Sequence, residues 1–388
     1  MDLYDLAAPA RLLRRRLRTA RPSSWPRVDR ICRVPGRRLV AITFDDGPTA
    51  LRTAAGEPLT ESILRALERH GMRATFNMIG GTHDNYPDRA GPLHSPLWNG
   101  IRYDHYPAFG LDAWAGAANQ PLLARRVVQA GHEVGNHSFR HLAFGPERIV
   151  YGRRTHHGGA ADVERDCIRF QEFCHTHLGA RPVVARPPHY VARTADGIDT
   201  LAIYRRLGLT MVGASFDLGA WRARQGSRRA YAAAAVAPLA EALARDPDAL
   251  DGSILFAKDG LNMSLEPVVA EVLPEQLRIL HRYGYRVVPA GELIARGRCA
   301  DLRPEDPLAE AVVAMLALGV PCAYTDNTVR PDRRLGERDA ALIAAAVRAR
   351  RPGLVIPGHA GRERRAWLLA LHAAVGAAAA EPCVRGRA

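Results

Sequence analysis

The sequence contains very little lysine. Its 388 residues include 54 Lys and Arg side chains, of which one, Lys258, is a lysine. Because a guanidinium does not release its proton at any useful pH, Lys258 is the one basic side-chain amine available for acid–base chemistry. The net charge of +14 could attract a polyanion, but the arginines are spread along the chain. The basic and aromatic stripe of single-strand binders is missing, so we expect no nucleic-acid partner.

Long apolar runs and paired cysteines are also missing. The longest apolar runs, such as Ala311 to Val320, fall far short of the roughly 20 residues that span a bilayer, so we expect no membrane span. No apolar core of signal-peptide length follows the N-terminal arginines before Pro22. Six cysteines are scattered without paired spacing, which is typical of free thiols in a reducing compartment. These features predict a cytoplasmic protein.

A regular alternation runs from about Arg38 to Arg296. Short apolar runs of strand length alternate with longer segments of helical period, which predicts an α/β domain with a parallel sheet. The predicted strands are Leu39–Phe44, Ala74–Met78, Glu133–Asn136, Val183–Arg186, Thr210–Ala214, Ser253–Ala257 and Arg286–Val288. The predicted helices are Leu59–His70, Pro121–Ala130, Ala161–Leu178, Asp199–Leu207, Arg228–Ala244 and Pro267–Tyr283. A distorted (β/α)7-8 barrel over residues 38–297 closes such a sheet, with catalytic groups at the C-terminal ends of the strands.

Four segments depart from this alternation. Residues 1–37 form a basic N-terminal extension, and 80–120 are predicted to be an inserted loop, rich in Gly, Pro, Asn and aromatic residues. Residues 301–350 have the pattern of a small helix-loop-helix unit, and 351–388 form an Ala/Arg-rich tail. The tail is low in complexity, so we expect it to be frayed from Ala374 onwards.

The first motif with chemical meaning is Thr43-Phe-Asp-Asp-Gly-Pro48, where the first predicted strand ends. Two adjacent carboxylates repel each other, and a bound cation would relieve that repulsion. The alternative interpretation is a helix N-cap followed by a turn.

The second motif, His137-Ser-Phe-Arg-His141, places two imidazoles four residues apart, the spacing that aligns side chains on one face of a helix. Two neutral imidazoles and one carboxylate leave a coordination position open, which is typical of a catalytic metal site. Such a pair alone is weak evidence. The preceding segment from Gly131 to Asn136, which feeds in from a predicted strand, makes it stronger.

In order along the chain, Thr43–Pro48, Gly131–His141 and Arg186-Pro-Pro-His-Tyr190 resemble the first three motifs of the polysaccharide deacetylase family. This family is also called the nodulation-factor deacetylase homology domain, and its members are carbohydrate esterases. The resemblance spans roughly Arg38 to Arg296 and implies removal of N-acetyl groups from an N-acetylglucosamine-containing polysaccharide or glycoconjugate.

The resemblance also implies roles for individual residues. Asp45 would be the general base, and the metal ligands would be Asp46, His137 and His141. The metal would be divalent, usually Zn²⁺, with Co²⁺, Mn²⁺ or Ni²⁺ as alternatives. Such an ion lowers the pKa of bound water and polarises the amide carbonyl.

Arg186 matches the arginine of the third motif, which by resemblance orients the base. We expect Asp217 to hold Arg186 in turn, although an ordinary ion pair is the alternative. The predicted substrate-binding residues are Pro188, His189, Tyr190 and Trp221. The chain departs from the family at His189, which separates Pro188 from the aromatic residue, and at Ala220, where a second Asp is common. These changes leave the oxyanion donor and part of the sugar pocket open.

The last motif departs most. The family usually has Leu-x-His-Asp with the His as general acid, whereas this chain reads Phe256-Ala-Lys-Asp-Gly260. Lys258 therefore stands at the position of the acid. A lysine in water has a pKa of about 10.4, but burial or a nearby cation lowers it, so Lys258 could protonate the leaving amine. Two alternatives stay open: a fixed positive charge near the oxyanion with His189 as the acid, or an exposed lysine without a role.

The segment Tyr324 to Asp332 and the following helix resemble one surface-layer homology repeat over about 45 residues. Where that family has Thr-Arg-Ala-Glu, this chain reads Gly336-Glu-Arg-Asp339. The resemblance implies a bacterial cell-wall polysaccharide as a second, weaker partner. Two other functions stay open for the chain: hydrolysis of another carbon–nitrogen bond, as in a cyclic imide or ureide, and catalytically silent carbohydrate binding.

Overall fold

The structure is a computed structural model that describes residues 22–23, 27–34, 36–81, 115–146, 148–149, 152–153, 156–221, 226–260 and 268–380. Most of the predicted N-terminal extension and of the predicted loop at 80–120 lies outside the described residues. The chain divides into two compact units. One is Val34–Ile294, and the other contains Ala295–Ala388 together with Met1–Arg33.

The described residues contain short strands and longer helices in alternation. The strands are β1 (Pro22–Ser23), β2 (Leu39–Asp45), β3 (Thr75–Met78), β4 (Glu133–Asn136), β5 (Arg148–Ile149), β6 (Gly152–Arg153), β7 (Val184–Ala185), β8 (Thr210–Met211), β9 (Phe216–Asp217), β10 (Ile254–Lys258), β11 (Arg286–Val288) and β12 (Ala323–Tyr324). The helices are α1 (Leu59–Arg69), α2 (Pro121–Gln129), α3 (Ala160–Phe173), α4 (Thr200–Arg206), α5 (Arg228–Arg245), α6 (Val269–Arg282), α7 (Ala290–Ala295), α8 (Pro307–Ala317), α9 (Glu337–Arg348) and α10 (Arg364–Ala380). A π-helical turn spans Cys174–Leu178, and a 3-10 turn spans Pro188–Tyr190.

Eight parallel strands form one sheet in the unit Val34–Ile294. Their order is β8-β7-β4-β3-β2-β10-β9, and β11 pairs with β2 as well. Strand β2 is central: β10 pairs with its residues 41–45, while β11 pairs with 39–41 and β3 with 43–45. The predicted α/β class is confirmed. Strands β8 and β9 lie at the two ends of this order. Within the described residues no pairing joins them, so the curled sheet is open between these two strands.

Strand β2 is buried over its full length. Its alternate residues face opposite sides of the sheet, as in any strand, so Thr43 and Asp45 share one face and Phe44 lies on the other. Phe44 stacks on Phe76 of β3 with ring centroids 5.0 Å apart. Burial on both faces is expected for a parallel strand between helices and a filled interior. Here one face is apolar and the other carries polar groups.

The register of the sheet places several of these polar groups at one edge. Asp45 lies opposite Lys258 on one neighbouring strand and opposite Asn77 on the other. Asn136 lies opposite Ala185, so the residues that follow both of them leave the sheet side by side. Because the strands are parallel, their C-terminal ends meet at this edge.

The seven predicted strands are all present, and Glu133–Asn136 and Arg286–Val288 have the predicted bounds. The prediction missed β9, Phe216–Asp217, because two residues are too few to show a period of two. The five cysteines within the described residues are buried free thiols, as expected.

The second unit contains α8, α9, α10 and the antiparallel pair of β1 with β12. Its core includes Leu308, Met315 and Ile343. The expectation of fraying from Ala374 was wrong up to Ala380, because α10 continues to that residue. Its apolar face is buried, and the surrounding alanines masked the period of that face: Trp367, Leu368, Leu371 and Val375. None of the described helices is long and apolar enough to cross a membrane.

Candidate active site

Three predicted metal ligands converge at the C-terminal edge of the sheet. Donor atoms of Asp46, His137 and His141 all lie within 4.8 Å of one another, and all three residues are buried. Asp46 Oδ1 is 3.0 Å from His137 Nε2 and 3.1 Å from His141 Nε2. Within the described residues this is the one group of three such side chains that could hold an ion. A carboxylate and two imidazoles therefore face a common point.

A contact on the far side of the His137 ring fixes its tautomer. His137 Nδ1 lies 2.6 Å from the carbonyl oxygen of Arg186. A carbonyl can only accept a hydrogen bond, so Nδ1 carries the proton and Nε2 presents its lone pair towards Asp46. This is the usual arrangement of a metal-binding histidine. One oxygen and two nitrogen donors with this orientation fit a divalent ion such as zinc.

The segment His137–His141 is a loop and not the predicted turn of helix. Ser138 and His141 have φ angles of 68° and 53°, in the left-handed region. Asn136 Oδ1 accepts the Ser138 N–H at 2.9 Å, and Asp166 Oδ2 accepts the N–H groups of Phe139 and Arg140, each at 3.1 Å. These side-chain acceptors replace helical hydrogen bonds. They bring the two imidazoles together by a route that the spacing alone did not indicate.

Arg186 is fully buried and contacts the predicted base. Its Nη1 is 2.6 Å from Asp45 Oδ1 and 2.9 Å from Thr43 Oγ1. Other guanidinium N–H groups donate to the carbonyls of Val212 and Gly213. A buried charge needs such partners. The expected contact between Arg186 and Asp45 is present, and the roles of both residues in catalysis stay predictions.

Asp45 is also held from β3. Asn77 Nδ2 donates to Asp45 Oδ1 at 2.8 Å. The other carboxylate oxygen, Oδ2, lies 3.8 Å from His137 Nε2 and so faces the three-ligand cluster. Asp45 therefore has one oxygen anchored by Arg186 and Asn77 and one directed at the cluster of Asp46, His137 and His141. Sequence reasoning missed Asn77, although its position on the strand next to Asp45 was the available signal.

Asp217, Trp221 and Lys258 are linked in a row. Asp217 Oδ1 accepts the Trp221 indole N–H at 3.0 Å and the Gly219 N–H at 2.8 Å. Lys258 Nζ lies 5.0 Å from the centroid of the Trp221 ring and 2.5 Å from Asp46 Oδ2. These contacts position Trp221 and the lysine. The predicted link from Asp217 to Arg186 stays a prediction.

Burial and neighbouring charge set the ionisation of the ligands. Burial alone would raise the pKa of the Asp46 carboxyl, but the Lys258 ammonium and the imidazoles of His141 and His137 outweigh it. The pKa of Asp46 therefore lies well below its usual value. Burial lowers the pKa of His141 to about 4, although the Asp46 carboxylate acts in the opposite direction. At neutral pH both groups are in the form that binds a metal.

The predicted substrate-binding residues lie around this cluster. The ring centroids of His189 and His141 are 5.0 Å apart, and the ring centroid of Tyr190 lies 5.4 Å from the guanidinium carbon of Arg186. Trp221 packs edge-on against Phe256 at 5.6 Å. Pro188 is buried, and its contact with substrate stays a prediction, as do those of His189, Tyr190 and Trp221.

The backbone around the cluster is strained. Eight non-glycine residues within the described parts of the chain have positive φ, and five of them belong to this edge: Asp46, Ser138, His141, His189 and Tyr190. Such conformations cost free energy and cluster where side chains must point in unusual directions. The strain supports a functional interpretation of the edge.

Asp259 was not predicted as part of the site. Its side chain is fully buried, and burial raises its pKa to about 8. Thr60 Oγ1 donates to it at 3.0 Å. A Cβ at Gly47 would collide with the Asp259 carboxyl, and one at Gly260 would collide with the Asp46 carbonyl oxygen. Gly47 thus makes room for the Asp259 carboxyl and Gly260 for the Asp46 backbone, which explains the glycine in both motifs.

Comparisons with known proteins agree with the motifs. The family described as polysaccharide deacetylase matches residues 33–212. A peptidoglycan-N-acetylglucosamine deacetylase of Bacillus cereus is 24% identical over 259 residues, covering 66% of this chain and 88% of that protein. The peptidoglycan-N-acetylglucosamine deacetylase PgdA of Listeria monocytogenes is 22% identical over 52% of this chain, which spans only 31% of that relative. The solved peptidoglycan deacetylase PdaC of Bacillus subtilis shares 19% identity over 68% of this chain and 92% of its own, with a TM-score of 0.43.

Proposed function

We propose that this chain, whose residues 33–212 match the polysaccharide deacetylase family, is a metal-dependent hydrolase that removes N-acetyl groups from an N-acetylglucosamine-containing polysaccharide or glycoconjugate. The observation that carries the proposal is the convergence of Asp46, His137 and His141 next to a second carboxylate, Asp45. The similarity to enzymes named for peptidoglycan deacetylation supports the substrate class.

Asp46, His137 and His141 would hold the ion, which supplies Lewis acidity for a water and for the amide carbonyl. Asp45 takes the proton of the attacking water through Oδ2, the oxygen that faces the cluster. Arg186 and Asn77 hold the other oxygen of Asp45, so that its orientation does not change as the proton arrives. Arg186 is thus a positioning residue for the base.

The leaving amine needs a proton, and two side chains near the cluster are candidates. Lys258 stands at the end of β10 against Asp46, while His189 lies beside His141. If Lys258 donates, His189 contacts the sugar. If His189 donates, Lys258 supplies a fixed positive charge near the developing oxyanion. The variants Lys258→Met and His189→Phe separate these roles, because the donor's removal lowers kcat for substrates with a poor leaving amine more than for an activated anilide.

Tyr190 is partly exposed and offers aromatic surface on which a sugar ring could lie, and Trp221, which is 8% exposed, would form the wall behind it. Both are anchored, since Trp221 is bonded to Asp217 and Tyr190 packs against Arg186. Amphipathic aromatic side chains of this kind suit a pyranose, which has apolar faces and polar edges. We assign them to substrate binding.

A different carbon–nitrogen bond, as in a cyclic imide or ureide, is the alternative within the same chemistry. It is favoured by the changes at His189, Ala220 and Lys258, the positions that would meet the substrate and leaving group. A silent carbohydrate-binding protein is disfavoured, because the base and all three metal ligands are retained in a geometry that fits an ion.

The experiment that separates these functions is product analysis with the Zn²⁺-loaded protein. N-acetylglucosamine oligomers, peptidoglycan fragments and a cyclic ureide are incubated separately, and released acetate and product mass are measured. We expect acetate and a mass loss of one acetyl group with the sugars. Ring opening of the ureide without sugar deacetylation would replace the proposal by the alternative, and no product from any of them would favour the silent protein.

The location of the protein and the binding of a cell-wall polysaccharide by the second unit are separate proposals. A cytoplasmic location is tested by cell fractionation, and recovery of the protein in the wall would contradict it. Binding by the second unit is tested by co-sedimentation of the full chain with purified cell walls.

A further inference from the structure

The two oxygens of the Asp46 carboxylate have different partners. Oδ1 faces the Nε2 atoms of His137 and His141, at 3.0 and 3.1 Å. Oδ2 is bonded to Lys258 Nζ at 2.5 Å. A carboxylate can ligate a metal through one oxygen or both. Here the ammonium occupies the second oxygen, so only Oδ1 is directed towards the imidazoles.

Two contacts besides the bond to Asp46 fix the position of Lys258. Its backbone pairs in register with Asp45 at the end of β10. Its Nζ lies over the Trp221 ring, and Asp217 holds that ring by its indole N–H. Its side chain is 20% exposed, while that of Asp46 is 2% exposed. The ammonium is therefore held against the ligand carboxylate and shielded from much of the solvent.

The charges at this edge show what the lysine changes. Asp45 and Asp46 contribute two negative charges, and Arg186, bonded to Asp45, contributes one positive charge. Lys258 adds a second positive charge and brings the sum of these four groups to zero. With a neutral residue at position 258 the same edge would carry one net negative charge. A divalent ion is attracted more strongly to the negative edge, and the effect is large where water is mostly excluded.

We propose that Lys258 is a charged partner of the metal ligand Asp46 that restricts this carboxylate to one ligating oxygen and weakens the affinity of the site for a divalent ion. The inference rests on the proposed function only in that it uses the same ion site. It gives Lys258 a role in positioning and charge that is separate from any proton transfer.

The first test measures the affinity of the full chain for Zn²⁺ by competition with a coloured chelator. Lys258→Met removes the charge and shortens the side chain by one atom, and Lys258→Gln does the same but keeps a hydrogen-bond donor. We expect both variants to bind Zn²⁺ about 10- to 100-fold more tightly than the wild-type protein, because the ion no longer meets the ammonium charge next to Asp46. Arg206→Gln is the matched control. It removes the same charge at an exposed ion pair with Glu164, and its affinity should equal that of the wild type.

The outcomes separate this inference from the proposed function. Wild-type binding of Zn²⁺ with equal or weaker binding by both Lys258 variants overturns the inference and leaves the proposed function standing. Failure of the wild type and of all variants to bind Zn²⁺ overturns both. Tighter binding by the Lys258 variants and by Arg206→Gln alike would attribute the gain to overall charge and would also overturn the inference.

A second measurement needs no change at Lys258. Because the chain has one lysine, protein labelled with ¹³C,¹⁵N-lysine gives the NMR signals of a single side chain. We expect the Cε and Nζ signals to shift on addition of Zn²⁺ and, without metal, in Asp46→Asn. Signals that move under neither condition would show that the ammonium does not contact this carboxylate and would overturn the inference.

Discussion

The central strands of the sheet bury polar groups at both ends, and the two ends differ in what those groups face. At the C-terminal edge, Asp46, His137 and His141 direct their donor atoms at one another. At the N-terminal edge, Glu133 Oε2 accepts a hydrogen bond from the Thr75 hydroxyl at 2.6 Å and another from the Gly291 N–H. The C-terminal edge therefore brings side-chain atoms that could ligate a metal close together. At the N-terminal edge, side chains instead accept hydrogen bonds from backbone N–H groups.

Two histidines make the contrast clear. Burial lowers the pKa of His132 and of His141 to about 4. His132 Nδ1 accepts the Ala74 N–H at 3.0 Å, so its lone pair is used within the fold. His141 Nε2 faces the Asp46 carboxylate. A buried neutral histidine is therefore not evidence of a metal site by itself. The group that faces the ring nitrogen with the lone pair decides whether the histidine could bind a metal.

The largest difference between the two edges is expected from removing one buried carboxylate at each. Asp45→Asn removes the base, and we expect kcat/KM for deacetylation to fall about 100- to 10,000-fold. Glu133→Gln keeps its acceptor oxygen for Gly291, so activity should stay within about threefold of wild type. Acetate release by both metal-loaded variants is the measurement. Similar losses would mean that the two edges do not differ in function.

A pair of histidine variants tests the same contrast through metal binding. His141→Ala removes one of three ligands, and we expect the affinity for Zn²⁺ to fall by about 100-fold or more. His132→Ala should leave that affinity unchanged and lower stability, because the Ala74 N–H loses its buried acceptor. Chelator competition and urea unfolding are run on both. Weaker Zn²⁺ binding in His132→Ala would contradict the division.

The pH dependence of stability isolates the N-terminal edge. The pKa of His132 is about 4 in the fold and about 6.5 in the unfolded chain, so the unfolded state binds the extra proton between these values. The His132 contribution to stability is therefore present above pH 6.5 and is lost as the pH falls to 4. His132→Asn keeps an acceptor for Ala74 and should gain roughly 2 kcal/mol relative to wild type between pH 7 and 4.5. Urea unfolding of the metal-free proteins measures this, and a difference that does not change with pH would contradict it.

The smallest expected effect comes from variants of two side chains that hold other residues in place, Asp217 at the C-terminal edge and Thr75 at the N-terminal edge. Asp217→Ala frees the Trp221 ring that lies under Lys258, and we expect kcat/KM to fall about 3- to 10-fold. Thr75→Val removes the hydroxyl that bonds Glu133 and Ala290, and should cost about 1–2 kcal/mol of stability without that loss of activity. Steady-state kinetics and urea unfolding of both variants sharpen the comparison. Equal activity of the two variants would remove Asp217 from the site.

The sequence predicts the parts of this architecture that depend on local pattern. Apolar runs located the strands, and Asp46, His137 and His141 could be chosen because their motifs recur in one family. The loop geometry was not predictable, since the positive φ of Ser138 and His141 depends on acceptors such as Asp166, far along the chain. Helix α10 was missed because alanines hid its buried face.

Contacts between distant segments were also beyond the sequence. The bond of Lys258 to Asp46 joins residues 212 positions apart, and it depends on the register of β10 against β2. Position 258 was identified as unusual from the motif, but its partner was not. The contacts of Asn77 and Asp259 were likewise not predictable, because only the pairing of neighbouring strands brings these residues beside Asp45 and Gly47.

The most direct test of the central claim is acetate release from an N-acetylglucosamine oligomer by protein that has been stripped with a chelator and reloaded with one equivalent of Zn²⁺. We predict that stripping abolishes release, that Zn²⁺ restores it, and that reloaded Asp45→Asn stays inactive. Release that survives stripping, or a reloaded protein that binds Zn²⁺ and produces no acetate, would contradict it.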